Sequence, residues 1–392
     1  MKKLIALLFL TLLLPGINLV SGQGYKFTEI VRNPATEPKN QANTGTCWCY
    51  ATTAFMESEL IRMGKGEFDL AEMFIVYHNY LDRIDDNYLR RGKGNLGEGS
   101  VSHMFTKIFK REGILPQEVY NGINYDLPRN DHTELNAYLN AVAGVSVELK
   151  QRSPEYRELL RSVLDTFLGK IPEKFNYKGR EYTPKSFAAS LGLNMDDYVE
   201  ITSFTHFPFY SCSNLEIPDN WDHARYYNIP LDEFMEVIDH SLRNGYTVAW
   251  DGDVSERTLS SKVGIAVNPE VQNISLLDEE TQKIFEKLSP AERTELVARF
   301  ERPFPEVKVD QSVRQKGFED FTTTDDHLMQ LTGIAKDENG TIYYITKNSY
   351  GPLRGRFNGY LYMSESYVRA KSIAVLVHKN SVPQHLRTRL GF

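Results

Sequence analysis

The sequence predicts an α+β chain of two lobes, helical in its first part and β-rich in its last third. Three observations carry that expectation. Small and apolar residues at Cys47, Ala51, Ala54, Phe55, Ser58 and Ile61 recur with the period of a helix. The runs Leu328–Ala335 and Thr341–Thr346 are β-rich and are joined by Lys336-Asp-Glu-Asn-Gly340, whose Asn-Gly step is a hairpin turn signal. The chain has 392 residues with 41% hydrophobic content, enough for more than one buried core.

Along the chain, Lys2-Lys3 precede the apolar run Leu4–Leu14, then Pro15-Gly16 and the small residues of Val20-Ser21-Gly22. The apolar core is too short to span a bilayer, so residues 1–22 read as a secretory signal peptide, with a mature protein that begins near Gln23 and is exported to the periplasm or secreted. No stable membrane insertion is expected after its removal. A helix is expected from Cys47 to about Met63, ended by Gly64-Lys-Gly66, and a second over Glu67–Tyr80. Arg91-Gly-Lys-Gly-Asn-Leu-Gly-Glu-Gly-Ser100 is too glycine-rich for a helix or strand interior. Helical pattern resumes over Val101–Arg111. Residues 130–200 read mainly as helices, and 201–230 as an aromatic, proline-broken loop. Leu231–Asn244 is an amphipathic helix, Thr247–Trp250 a short buried strand, and Leu276–Phe300 a helical hairpin with a Ser289–Glu292 capping box.

A net charge of -7 without a Lys/Arg run argues against nucleic-acid binding. Three cysteines, Cys47, Cys49 and Cys212, are too few for a disulfide framework. A Cys49–Cys212 bridge and two buried thiols both remain open. No cysteine–histidine cluster has metal-site spacing, so neither a metal nor another cofactor is expected.

The stretch most charged with chemistry is Gln41-Ala-Asn-Thr-Gly-Thr-Cys47-Trp48. It sets a cysteine at a helix start behind a glycine turn, where the helix dipole favours the thiolate, the nucleophilic form. Gln41 supplies an amide donor for an oxygen that becomes negative during attack on a carbonyl. A thiolate needs a base, and the hairpin selects one. Folded about residue 338, it sets His327 opposite Asn348 at the open end, on one face of the sheet. Cys47, His327 and Asn348 then supply nucleophile, acid/base and orienting residue. The other histidines take structural readings: His78 packed or exposed, His103 exposed although near the glycine loop, His132 and His240 solvated, His206 and His223 stacked on aromatic rings.

These motifs resemble the papain superfamily of cysteine peptidases, and in particular its bleomycin hydrolase and bacterial aminopeptidase C branch. Asn40-Gln41 before Cys47-Trp48 matches the nucleophile motif, Trp250-Asp-Gly-Asp-Val254 a strand segment, and Asp325-Asp-His327-Leu-Met and Lys347-Asn-Ser-Tyr-Gly351 the histidine and asparagine motifs. The resemblance runs with gaps from about residue 27 to 385. It implies a papain-like two-lobed fold, a helical lobe plus a β-barrel lobe, with a large helical insertion. The corresponding organisation is a helical lobe over 23–120, an insertion over 121–245 and a β lobe over 246–392. His327 lies 280 positions (327 less 47) after Cys47, against about 130–150 in ordinary papains, which leaves room for that insertion. About eighteen residues between Gln23 and Gln41 are too few for an inhibitory pro-segment.

The resemblance further implies peptide substrates, substrate backbone pairing at Gly97, Glu98 and Gly99, release of N-terminal residues, and a homohexamer. Tyr350 stands where the family has a tryptophan that shields the His–Asn hydrogen bond. In the family a C-terminal tail enters the cleft and enforces exopeptidase action; the tail ending Leu386–Phe392 is expected to be too short or otherwise placed. The alternatives are an endopeptidase of the same fold and a catalytically silent peptide-binding homologue.

Overall fold

The computed structural model describes residues 24–392 together with the backbone of β1 (Leu19–Ser21). The rest of the expected signal peptide lies outside the described residues. β1 pairs with β2 (Lys26–Arg32), and the chain then crosses to the helical lobe. There α1 (Cys47–Arg62), α2 (Glu72–Leu89) and α3 (Ser102–Glu112) form the centre, flanked by α4 (Thr133–Leu149), α5 (Tyr156–Leu168), the hairpin β3 (Phe175–Tyr177) with β4 (Arg180–Tyr182), and α6 (Pro184–Leu191).

The expected stripe on α1 is wider than predicted. Of its 16 residues, all but Ile61 and Arg62 are buried, so the helix is enclosed on nearly every side. That suits a helix wedged between α2, α3 and the sheet. The second helix begins at Glu72 instead of Glu67, because Asp69 and Leu70 are used first: Leu70 bridges to Pro116 and the Leu70 N–H donates to the buried Glu57 carboxylate.

The remaining strands join one sheet of twelve. These are β5 (Tyr198–Thr202), β6 (Ser211–Asn214) and β7 (Arg225–Asn228), then, after α7 (Leu231–Arg243), β8 (Val248–Gly252), β9 (Leu259–Ser260) and β10 (Ile265–Ala266). α8 (Glu279–Phe285), α9 (Pro290–Val297) and α10 (Gln311–Glu319) precede β11 (His327–Lys336), β12 (Ile342–Lys347) and β13 (Tyr360–Ser364). α11 (Glu365–Lys371), β14 (Ser372–His378) and α12 (Gln384–Leu390) complete the chain. The order is β6-β7-β5-β14-β8-β11-β12-β13-β10-β9, and β2 pairs with the second half of β11 beyond the stretch that β8 occupies. The helical hairpin is α8–α9, with the Ser289–Glu292 capping box in place.

Alternation along the strands explains how the lobes meet. Ala249, Leu328 and Leu376 pack into the helical core with Trp48, Phe55 and Phe74, while their neighbours Trp250, Met329 and Val375 pack with α7 and α11 residues on the other face. Gln330 fastens the seam: its buried amide donates to Ala54 O at 3.1 Å, Ser58 Oγ at 2.7 Å and Thr247 Oγ1 at 3.1 Å. The seam between α1 and β11 therefore places Cys47 and His327, each the first residue of its element, together.

Residues 201–230, expected as a loop, instead contribute most of β5 and all of β6 and β7. These strands are short and lack an alternating pattern, and pairing with β14 fixes them. The β11–β12 hairpin turns at Asp337–Gly340, where Gly340 holds φ +87°. Its register differs from the expected one: Lys336 pairs with Ile342 and Gln330 with Lys347, with a shift between Leu331 and Gly333. Gly333 is required there, because a Cβ would lie 2.2 Å from the Val31 carbonyl oxygen of β2.

Candidate active site

The turn before α1 is tied to the asparagine motif by backbone. Asn40 bridges to Tyr350, and the Gln41 N–H donates to Ser349 O at 2.9 Å. The Gln41 side chain is locked at both ends: its Nε2 donates to Thr44 O at 2.7 Å, and its Oε1 accepts from the Ser349 hydroxyl. One amide hydrogen is left over. No side chain caps α1, so the dipole's positive end at Cys47 is not screened by a capping oxygen. Gly45 and Glu98 are pressed together, since a Cβ on Gly45 would lie 2.7 Å from Glu98 Cβ, and the Gly45 N–H donates to Glu98 Oε2 at 2.7 Å. Trp48 Nε1 donates to Glu98 O at 3.2 Å. Glu98 and Gly99 thus flank the cysteine turn, while Gly97 is exposed.

His327 opens β11 opposite Gly252 and is buried. Its Nε2 lies 2.8 Å from Asn348 Oδ1. That oxygen also accepts the Ser349 N–H at 2.7 Å, so the amide's orientation is set by a backbone donor. Nε2 must therefore carry the hydrogen, which leaves the lone pair of the neutral ring on Nδ1. Tyr350 stacks on the imidazole at a centroid distance of 5.4 Å and 29°, covering it as the family's tryptophan is expected to. Cys47 faces the Leu328 backbone N–H, the residue next to His327.

The charge state differs from the sequence expectation. Burial pushes the Cys47 thiol up to about 12; the Leu328 N–H favours the thiolate, and Asp219, Asp251 and Asp325 oppose it. Burial also pulls His327 below the usual imidazole range, against the Asn348 hydrogen bond. At rest the two groups are a thiol and a neutral imidazole. The helix dipole alone does not outweigh a dry site and three carboxylates.

Sequence reasoning missed those carboxylates. Asp251 and Asp325 sit inside quoted motifs, Trp250-Asp and Asp325-Asp-His327, yet only the pairing of Leu328 with Asp251 shows that they converge. Asp219 comes from a distant loop and lies on Gly99, where a Cβ would meet its carboxylate at 2.0 Å. His103, expected at the surface, is instead buried between Glu200 (Nδ1–Oε2, 2.7 Å) and Asp222 (Nε2–Oδ1, 2.7 Å). Burial opposes its charge, but the two carboxylates override that and raise it to about 9. His132 is likewise buried, with Nδ1 3.0 Å from the Tyr80 hydroxyl, and His240 Nδ1 meets Ser381 O at 2.6 Å. His206 does stack, on Phe318. The cysteines are unbridged: Cys49 is buried with its thiol 3.3 Å from Glu72 O, and Cys212 is half-buried. Among the described residues, no group of three or more His, Cys, Asp or Glu side chains has metal-holding geometry, and no helix is long and apolar enough to cross a membrane.

No family model matches the chain. Among curated proteins it is similar to aminopeptidase C of Streptococcus thermophilus, 21% identical over 88% of this chain and 80% of that one. It is also similar to the mitochondrial cysteine proteinase 1 of Saccharomyces cerevisiae, 20% identical over 93% of this chain and 79% of that one. Among solved structures, PepW from Lactobacillus rhamnosis HN001 superposes with a TM-score of 0.68 at 18% identity, covering 93% of this chain and 84% of that one. The fold is papain-like, and the chain is a cysteine peptidase. Its relatives bear out the resemblance to the aminopeptidase C branch that the motifs carry.

Proposed function

We propose that the chain is an exported aminopeptidase that releases N-terminal residues from peptides, with Cys47 as nucleophile, His327 as acid/base and Asn348 as orienting residue. The observation that supports this most is the hydrogen bond from His327 Nε2 to Asn348 Oδ1, which leaves Nδ1 able to take a proton on the side of the α1 start. The Cys47 proton passes to Nδ1 as sulfur bonds to the scissile carbonyl carbon. The oxyanion is met by the remaining Gln41 amide hydrogen and the Cys47 N–H. The imidazolium then protonates the amine as the C–N bond breaks and leaves a thioester. Water, losing its proton to Nδ1, attacks that carbon; the C–S bond breaks, the acid departs and the thiol is restored. Backbone at Gly97, Glu98 and Gly99 beside the cysteine turn is the proposed substrate rail, and no cofactor takes part.

Incubation with a medium-length peptide, followed by mass analysis, tests the cut. Stepwise loss of single N-terminal residues is expected, and absent from Cys47→Ala. Internal fragments without stepwise loss would establish endopeptidase action. That second reading draws on one observation: Gln384–Phe392 packs on the far side, with Phe392 5.0 Å from the Tyr227 ring and Leu386 in the core beside α7. No turnover of any peptide would leave the silent binding homologue. Export predicts a mature terminus near Gln23, read by N-terminal sequencing of the native protein; a terminus at Met1 refutes it. The hexamer rests on the resemblance and is tested by sedimentation.

A further inference from the structure

Beside Cys47 lies a polar chamber that the reaction as written leaves without a role. Its floor is Asp251, on the strand position opposite Leu328, 4% exposed, with Oδ1 buried and without a hydrogen-bond partner. One wall is Asp325, which faces the Asp251 carboxyl and the Asp219 backbone N–H, although neither of its buried oxygens meets a partner at hydrogen-bond geometry. The roof is Asp219, seated on Gly99. A neutral donor completes the set: the Tyr226 hydroxyl, in a ring 1% exposed, is also buried and unpartnered, in the field of Asp251 and Asp325. Buried polar groups are ordinarily satisfied, so several orphans around one space imply an absent occupant. The nearby cation is Arg83, which offsets Asp219 in part and leaves Asp251 and Asp325 without a positive partner.

The chamber is also held rigidly. Asn95 Nδ2 donates to Pro218 O at 2.8 Å, Trp221 Nε1 donates to Ser100 Oγ at 3.1 Å, and His103 grips Asp222, so the loop carrying Asp219 is pinned at three points over the glycine string. Rigid support is what a recognition site needs. Resting on the peptidase reading above, we propose that Asp219, Asp251, Asp325 and the Tyr226 hydroxyl receive the protonated α-amine of the substrate, whose first carbonyl is thereby set at Cys47. A free α-amine lies only two bonds from the carbonyl carbon under attack, so a receptor whose carboxylates act on the Cys47 sulfur is near enough to read it. An incoming ammonium also cancels the field that opposes the thiolate, so the correct substrate eases the proton from Cys47 to His327. Exopeptidase choice would then reside in side chains of the cleft itself.

The test separates recognition from hydrolysis by using Cys47→Ala, which binds without turnover. Calorimetry with leucinamide and N-acetyl-leucinamide should show at least a tenfold preference for the free amine, in line with charge-assisted hydrogen bonds. Adding Asp251→Asn and Asp325→Asn should reduce the ratio to within about twofold, with folding checked by circular dichroism. Asp219→Asn alone, on a half-buried residue, should lower it several-fold and serves if the double variant does not fold. Equal binding of both ligands by Cys47→Ala, or an unchanged ratio in the Asn variants, overturns the proposal whatever the enzyme's activity. A second arm compares N-acetyl-lysyl-leucinamide with N-acetyl-glutaminyl-leucinamide. Preference for the lysine without preference for free leucinamide would assign the chamber to a basic side chain and refute the α-amine.

Discussion

Raising the pH past 9 should loosen the loop that carries Asp219, and the size of the effect follows from His103. The imidazole is buried between Glu200 and Asp222, and its affinity for a proton rises from the ordinary 6.5 to about 9. At about 1.36 kcal/mol for each tenfold change, that displacement corresponds to roughly 3 kcal/mol of folded-state stability. The sign is that of a raised base: the contribution is fully present below pH 6.5 and is lost as pH climbs through about 9. Asp222, held well below the usual carboxylate range by the His103 hydrogen bond and by Lys107 despite its burial, stays charged throughout and is left to Lys107 alone once His103 is neutral. Urea titrations at pH 6.5, 7.5, 8.5 and 9.5 on the wild type and His103→Gln measure it. Because Lys347 also changes charge near pH 8, the difference between the two proteins is the quantity to follow. It should shrink by about 2–3 kcal/mol across the range. A difference that stays constant with pH would refute the charged-clamp account of His103.

Three other predictions concern the site. Asn348→Ala removes the acceptor that fixes the His327 tautomer; a hydrogen bond to a group that becomes charged is worth about 1.5–3 kcal/mol, so kcat should fall by roughly 10–150-fold with KM little changed. Ser349→Ala frees Gln41 Oε1 and lets the amide rotate, and kcat should drop less than in Gln41→Ala, where about 10²–10³ is expected. Steady-state kinetics on an aminoacyl reporter reads both. Leu328→Pro deletes the N–H that faces the Cys47 sulfur, so thiol alkylation by iodoacetamide should slow at every pH between 6 and 9, provided circular dichroism shows β11 intact.

How much was legible depended on how local each signal was. The period of α1, the Ser289 capping box and the Asn-Gly turn are properties of neighbouring residues, and all are present. The hairpin argument chose His327 correctly from nine histidines, although the irregularity at Gly333, imposed by β2 against the other edge of β11, displaced the register. A bulge set by a third strand leaves no mark on the two strands of a hairpin. The strands of residues 198–228 were missed because three- to five-residue segments with proline and aromatic residues between them carry no alternation, and only β14 selects their conformation. The acidic chamber draws on residues near positions 219, 251 and 325, brought together by topology. The charge state of Cys47 failed for the same reason: the dipole is local, while burial and the three carboxylates are not.

The central claim is that sulfur 47 attacks peptide carbonyl carbon with residue 327 handling the proton. Treating the reduced protein at neutral pH with a peptidyl epoxide and mapping the adduct by peptide mass spectrometry tests it most directly. One covalent label on Cys47 is expected, slowed at least a hundredfold in His327→Ala, with hydrolysis lost in step. Label on Cys49 or Cys212 in its place, or peptide hydrolysis that survives Cys47→Ala, would contradict it.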